Sequence, residues 1–180
     1  MIVVSPLEHL DATATRYRPS HVLTLLSPGH EASAPRQPPF VQPLQLYFHD
    51  ITEARDGLIA PDHESVGAIL DFARSWTGER PMLVHCWAGI SRSSAAAYMI
   101  ACARNDGFER DIADELRRRA PFATPNRLMV ELADNVLQRS GRMVEAAERI
   151  GRGADAFQGS PYELPASFSA STMRMSTPPS

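Results

Sequence analysis

Lysine is missing from this sequence: its Lys plus Arg total of 18 is made up of arginine alone. Against 21 Asp and Glu the formal net charge is −3, which offers neither the basic surface that holds nucleic acid nor one that holds an anionic membrane. No apolar run approaches the ~20 residues that span a bilayer. Met1-Ile2-Val3-Val4 lacks the basic start of a signal peptide. The expected location is the cytoplasm. Cysteine is scarce as well, with Cys86 and Cys102 the two present. Neither belongs to a Cys-x-x-Cys pair and no helical His/Glu ligand pair occurs, so no metal and no cofactor is expected. On a continuous helix from Arg92, Cys102 lies roughly 15 Å along at ~1.5 Å per residue. A disulfide needs Cα atoms within about 7 Å, so Cys102 is expected as inert core. What is present is ordinary for a globular protein: 180 residues, 43% hydrophobic and 22% charged, enough for one domain with a sizeable core.

Taken in order, apolar Met1 to Val4 predicts a strand, and Ser5-Pro6-Leu7-Glu8 has capping-box form, predicting a helix to Ala14. His21 to Leu26 reads as a strand ended by Ser27-Pro28-Gly29. The proline-rich stretch 28–43 reads as a loop, with His21 and His30 expected to be solvated. Leu44-Gln45-Leu46-Tyr47-Phe48 alternates and then turns continuously apolar, as a central strand would, delivering His49-Asp50 to a loop. Pro61 opens a helix with Asp62 and Glu64 in its first turn, and Val66, Ile69, Leu70, Ala73 and Trp76 form one face. Met82-Leu83-Val84 predicts a buried strand, and Ser94 to Ala101 a buried helix. Phe108, Ile112 and Leu116 predict a helix ending near Arg119, whose Arg117-Arg118-Arg119 suits a solvated C-terminal turn. Thr124-Pro125 caps the next helix, with Leu128, Leu132 and Val136 as its apolar face, and a last helix follows Gly141. There are no repeats. The order predicts an α/β fold: a mostly parallel sheet of four or five strands, helices on both faces, helices accumulating toward the C-terminus. Residues 1–152 form the expected domain, and 153–180 a Gly/Ser/Pro-rich tail, docked in part around Tyr162-Pro165 and disordered over 167–180.

The chain centres on His85-Cys86-Trp87-Ala88-Gly89-Ile90-Ser91-Arg92-Ser93, between the buried strand and the buried helix. Five residues separate Cys86 from Arg92, so one loop carries both around a common centre. Inward backbone N–H groups and the helix dipole make such a loop a site for a tetrahedral anion. Arg92 adds a planar fork of donors. The same field favours the thiolate, the nucleophilic form of cysteine. An anion site and a nucleophile coincide, which is the arrangement for attack on phosphorus.

His-Cys-x5-Arg-Ser at a strand-to-helix junction resembles the cysteine-dependent protein tyrosine phosphatases, most closely the compact dual-specificity type, over residues 44 to 137. HCWAGISRS is similar to the loop of small bacterial members of that superfamily. The resemblance implies a phosphatase-like fold and phosphomonoester hydrolysis through a phosphocysteine intermediate. Cys86 would be the nucleophile and Arg92 the phosphate clamp. Trp87, Ala88, Gly89, Ile90, Ser91 and Arg92 would supply backbone donors, and Ser93 a proton donor to the leaving thiolate. His85 would fix the loop, and Asn126, in a Pro-Asn pair, would support it. A general acid is also implied. Asp50, Asp56 and Asp62, all upstream of Cys86, are the candidates. Asp50, directly after the apolar strand, is the first choice and Asp56 the second.

The implied partner is a phosphorylated protein or peptide, with no nucleic acid and no membrane; oligomeric state stays open. Because the loop carries no cation besides Arg92, phosphotyrosine is expected over phosphoinositides. The alternatives are a phosphoinositide or inositol phosphate phosphatase, a rhodanese-like sulfurtransferase, and a non-catalytic phosphoprotein-binding module.

Overall fold

A computed structural model describes residues 1–33 and 41–169. Part of the 28–43 loop and most of the stretch 167–180 therefore lie outside the described residues. The elements run β1 (Ile2–Pro6), a 3₁₀ turn (Leu7–His9), α1 (Leu10–Tyr17), β2 (His21–Leu26), β3 (Gln42–Tyr47), α2 (His63–Ser75) and β4 (Met82–Cys86). Then come α3 (Arg92–Arg104), α4 (Glu109–Arg119), α5 (Arg127–Val136), α6 (Arg142–Ile150) and β5 (Tyr162–Leu164). The five strands form one sheet in the order β3-β2-β4-β1-β5. All pairs are parallel except β5, which runs antiparallel to β1. This is the α/β architecture expected.

Alternation along the strands divides the core between two faces. Ile2, Val4, Leu23, Leu25, Met82 and Val84 face α2 to α6, while Val3, Val22 and Leu83 pack with Leu10 beneath α1. Burying each such aliphatic side chain contributes about 1.5–3 kcal/mol. Helices thus cover both faces, unequally. Helix α3 is buried from Arg92 to Cys102, and its small Ala95, Ala96, Ala97 and Ala101 let it lie against the sheet under neighbouring helices. β4 is the middle strand, buried at all five positions. Cys86 therefore emerges at the C-terminal edge of a parallel sheet, where ligand crevices form in such folds.

Several local expectations are corrected. The Ser5 capping box does not form: β1 stays paired to β4 as far as Pro6 opposite Cys86, and the chain enters α1 through the 3₁₀ turn. β3 is an edge strand, half-buried or exposed throughout, where Pro43 can be tolerated without its N–H. The apolar run misled because Phe48, past the strand end, is itself a core residue, 3% exposed. Asp62 is the N-cap of α2, in a reciprocal capping box with Ser65. Asn126, rather than Thr124, caps α5, and the buried face shifts to Met129, Val130, Leu132 and Ala133. His21 is buried, between Ser20, Ser75 and the Phe72 ring, and burial lowers its pKa. Arg117 is not a solvated charge: its guanidinium gathers the carbonyls of Pro121, Ala123 and Gly151, stitching the α4–α5 loop to the end of α6.

Candidate active site

Cys86 closes β4, five loop residues follow, and α3 starts at Arg92. A trans peptide points its C=O and its N–H in opposite directions, so pinning a carbonyl outward aims the next residue's N–H inward. Four of the loop's carbonyls are pinned in this way. Leu7 N–H donates to Trp87 O at 3.1 Å, Gly159 N–H to Ala88 O at 2.8 Å and Thr124 N–H to Ile90 O at 3.0 Å. Ser91 O accepts from Ala95 N–H at 2.9 Å and from Asn126 N–H at 3.4 Å. The partner N–H groups are those of Ala88, Gly89, Ser91 and Arg92. One of them, Gly89 N–H, is aimed at Cys86 Sγ from 3.3 Å. Ala88, Ser91 and Arg92 N–H have no acceptor among the described residues, which leaves a cradle of donors beside the sulfur.

Gly89 is required twice. Its φ is +72°, and a Cβ there would sit 2.8 Å from the backbone nitrogen of Pro6. The end of β1 presses the loop into shape.

Arg92 is 5% exposed. Its Nη1 donates to Phe48 O at 2.7 Å and Ser27 Oγ at 3.2 Å, which orients the guanidinium from the ends of β2 and β3. Its Nε is buried without a hydrogen-bond acceptor, and the nearest carboxylate oxygen, Asp50 Oδ2, is 3.9 Å away. A buried guanidinium donor left open is costly unless an anion completes it. Ser93 Oγ lies 3.1 Å from Cys86 Sγ, within hydrogen-bond distance of the same sulfur that Gly89 N–H approaches.

Asp50 sits across the loop. Its Oδ1 accepts from Ser91 Oγ at 2.7 Å and from Asn126 Nδ2 at 2.8 Å, leaving Oδ2 beside the cleft with the side chain 36% exposed. The Ser91 side chain is turned toward Asp50 and makes no cap hydrogen bond to α3, so the helix N-terminus stays open to a ligand. Asp56 is exposed and makes no hydrogen bond or ion pair among the described residues. Asp62 is committed to its cap.

His85 faces away from Cys86, as strand alternation requires, with Nε2 2.8 Å from Thr24 Oγ1. Burial holds its imidazole down at about 4, the Cys86 backbone offsetting part of the shift, so it is a neutral support beneath the loop near pH 7. Trp87 is 52% exposed at the cleft rim, its ring 5.1 Å from that of His30, and Ile90 is half-buried. Cys102 is a buried free thiol whose pKa burial pushes up. Arg118 and Arg119 pair with Glu115, away from the loop.

The structure thus brings Cys86, Arg92, Ser93, Asp50 and Asn126 together. Sequence reasoning missed three elements: the Thr24 partner of His85, the loop-holding role of Leu7 and Thr124, and the contribution of Gly159. Each is a backbone group or a single hydroxyl from a distant segment, which no motif spacing signals.

No protein-family sequence model matches the chain, and no curated protein matches it. The likeness to known proteins lies in the fold. DUSP15 superposes with a TM-score of 0.60 over 83% of this chain and 89% of its own, at 16% identity. The human tyrosine phosphatase-like serine/threonine/tyrosine-interacting protein superposes at 0.59, over 77% and 92%, with 17% identity. Tk-PTP in its active form superposes at 0.53, over 75% and 88%, with 21% identity. The fold is that of the cysteine-dependent tyrosine and dual-specificity phosphatases. Among the described residues no helix is long and apolar enough to cross a membrane.

Proposed function

We propose that this protein hydrolyses phosphomonoesters through a covalent phosphocysteine. One observation carries the reading: inward N–H groups, the Cys86 sulfur and an acceptorless buried Nε of Arg92 converge on one loop. In the first step the Cys86 thiolate forms a bond to phosphorus as the ester P–O bond breaks, and Asp50 protonates the departing oxygen. Arg92 and the loop N–H groups hold the three phosphoryl oxygens, most tightly in the transition state. In the second step water attacks phosphorus, Asp50 takes its proton, and the sulfur leaves as thiolate onto Ser93 Oγ–H and Gly89 N–H.

The substrate class proposed is a phosphotyrosine protein or peptide. The loop offers Trp87 and Ile90 at the cleft and no cation beyond Arg92, while Arg118 and Arg119, the charges that several phosphates would need, are paired with Glu115 away from the loop. Asp50 beside the cradle favours this reading over sulfur transfer, which needs no general acid, and an open Oδ2 favours turnover over mere phosphopeptide binding. A phosphate-release comparison across phosphopeptides, phosphoinositides and inositol phosphates, at one pH and salt, tests it. Phosphotyrosine peptides should exceed phosphoinositides by at least about tenfold in kcat/KM, about 1.4 kcal/mol of transition-state binding. Equal or better phosphoinositide turnover refutes the substrate class, and thiosulfate turnover without phosphate release refutes the reaction.

A further inference from the structure

The segment after α6 does not trail away from the body. It returns across the catalytic loop as a strap and ends in the sheet. Ala154 N–H donates to Pro121 O at 2.9 Å, and Gly153 N–H to Thr124 Oγ1 at 3.0 Å, so the strap starts on the loop that pins Ile90. Gln158 Nε2 then reaches Glu8 Oε2 at 2.7 Å, beside the Leu7 that pins Trp87. Between these anchors and the sheet, Gly159 N–H donates to Ala88 O. The strap closes as β5 on β1, where the Tyr162 hydroxyl donates to Ser94 Oγ at 2.9 Å, next to Ser93.

Packing holds Gly159 at that spot. The Phe122 ring lies against it so closely that a Cβ would come within 2.4 Å, and the same ring meets Tyr162 edge-on at 6.1 Å. The chain at 159 has been brought as near to Phe122 as glycine allows, and the result is a donor on a loop carbonyl.

We propose that the strap is part of the catalytic apparatus, Gly159 being the positioning residue that fixes the Ala88–Gly89 peptide so that Gly89 N–H bears on the Cys86 sulfur. The inference rests on the reading of Cys86 as nucleophile. The peptide plane is the link: its carbonyl is held at 2.8 Å by Gly159, and its N–H stands 3.3 Å from Sγ. Without the outer bond, that plane is free to turn its carbonyl toward the cradle, where an oxygen would repel both thiolate and phosphate. The Leu7 and Thr124 pins act on other peptides and cannot substitute.

The test separates the donor from the packing. In a Phe122→Ala background, which opens space at 159, Gly159→Ala keeps the N–H and Gly159→Pro removes it. Cys86 alkylation by iodoacetamide at pH 6, kcat, KM and melting temperature are measured for both. The Pro variant should alkylate about tenfold more slowly and lose kcat in similar proportion with little change in KM, the size expected for one hydrogen bond to a charged group. Equal alkylation and kcat in two folded variants overturns the proposal. Hydrogen exchange of the Gly159 amide in the unaltered protein gives a second reading that needs no variant. The amide should be protected, and more so with tungstate bound; exchange at the rate of an unstructured glycine overturns the proposal. Neither alkylation nor exchange needs turnover, so a protein that releases no phosphate yet shows both effects keeps the strap and refutes the phosphatase reading.

Discussion

Asn126 reaches across 76 positions of sequence to donate from Nδ2 to Asp50 Oδ1 at 2.8 Å. The same oxygen takes the Ser91 hydroxyl, so Oδ1 is held jointly by the N-cap of α5 and by the loop that follows Cys86. Oδ2 alone is left to exchange a proton. Asp50→Asn should therefore lower kcat by roughly 10²–10⁴-fold, with a smaller loss for aryl phosphates whose leaving groups need no proton. The alkaline limb of the pH–rate profile should disappear in that variant. Asn126→Ala leaves the carboxyl in place but loosely held, and should cost between about 10- and 10²-fold. Kinetics of these variants beside Asp56→Asn check the assignment. A normal Asp50→Asn enzyme with a crippled Asp56→Asn would move the role to Asp56.

His85 makes the fold acid-sensitive. Its folded-state pKa is about 4, because burial disfavours the imidazolium, while the unfolded chain protonates near ~6.5. The unfolded state therefore binds more protons between those values. The associated stability is whole above pH ~6.5 and is lost as pH falls toward 4, by up to about 3 kcal/mol. His21, lowered by burial too, acts in the same direction. Melting curves of wild type and His85→Gln from pH 7.5 to 4.5 test this. The wild type should lose the greater share of its stability; parallel curves would remove His85 as the cause.

The two thiols should differ in their response to peroxide. Cys86 faces the donors Gly89 N–H and Ser93 Oγ, whereas burial pushes the Cys102 pKa up and keeps that thiol unreactive. Mild peroxide should inactivate the enzyme by modifying Cys86, with recovery in thiol when oxidation stops at the sulfenic stage. Mass spectrometry finding Cys102 modified first, with Cys86 intact, would contradict this.

The parts readable from sequence share one property: their signal is local. Cys86, Arg92 and Ser93 lie within one loop and turn, and α2 showed its face because Val66, Ile69, Leu70 and Ala73 repeat at helical spacing. Asp50 follows a strand parallel to β4's neighbour β2, which puts it at the same C-terminal edge of the sheet as Cys86. The rest was set at long range. Ser5 lost its cap to strand pairing with His85, and Leu7 gave its N–H to Trp87 O in the loop after Cys86. Leu46-Tyr47-Phe48 has the same text whether its strand is central or at an edge, since only Phe48 is driven into the core. Gly159 offered no side chain at all, and its contribution is an amide whose partner, Ala88, lies far back along the chain.

The central claim is that Cys86 is the nucleophile in an anion cradle built by the backbone around it. The most direct measurement is phosphate release by purified Cys86→Ser and Arg92→Lys beside wild type, with vanadate binding recorded on each. Cys86→Ser should release no phosphate above background yet bind vanadate, because the Leu7, Gly159 and Thr124 pins still aim the loop N–H groups inward. Arg92→Lys should lose roughly 10²–10³-fold in kcat, since a single ammonium nitrogen cannot reproduce the planar fork that holds Phe48 O with Nη1 and presents Nε separately. Substantial turnover by Cys86→Ser would contradict the account.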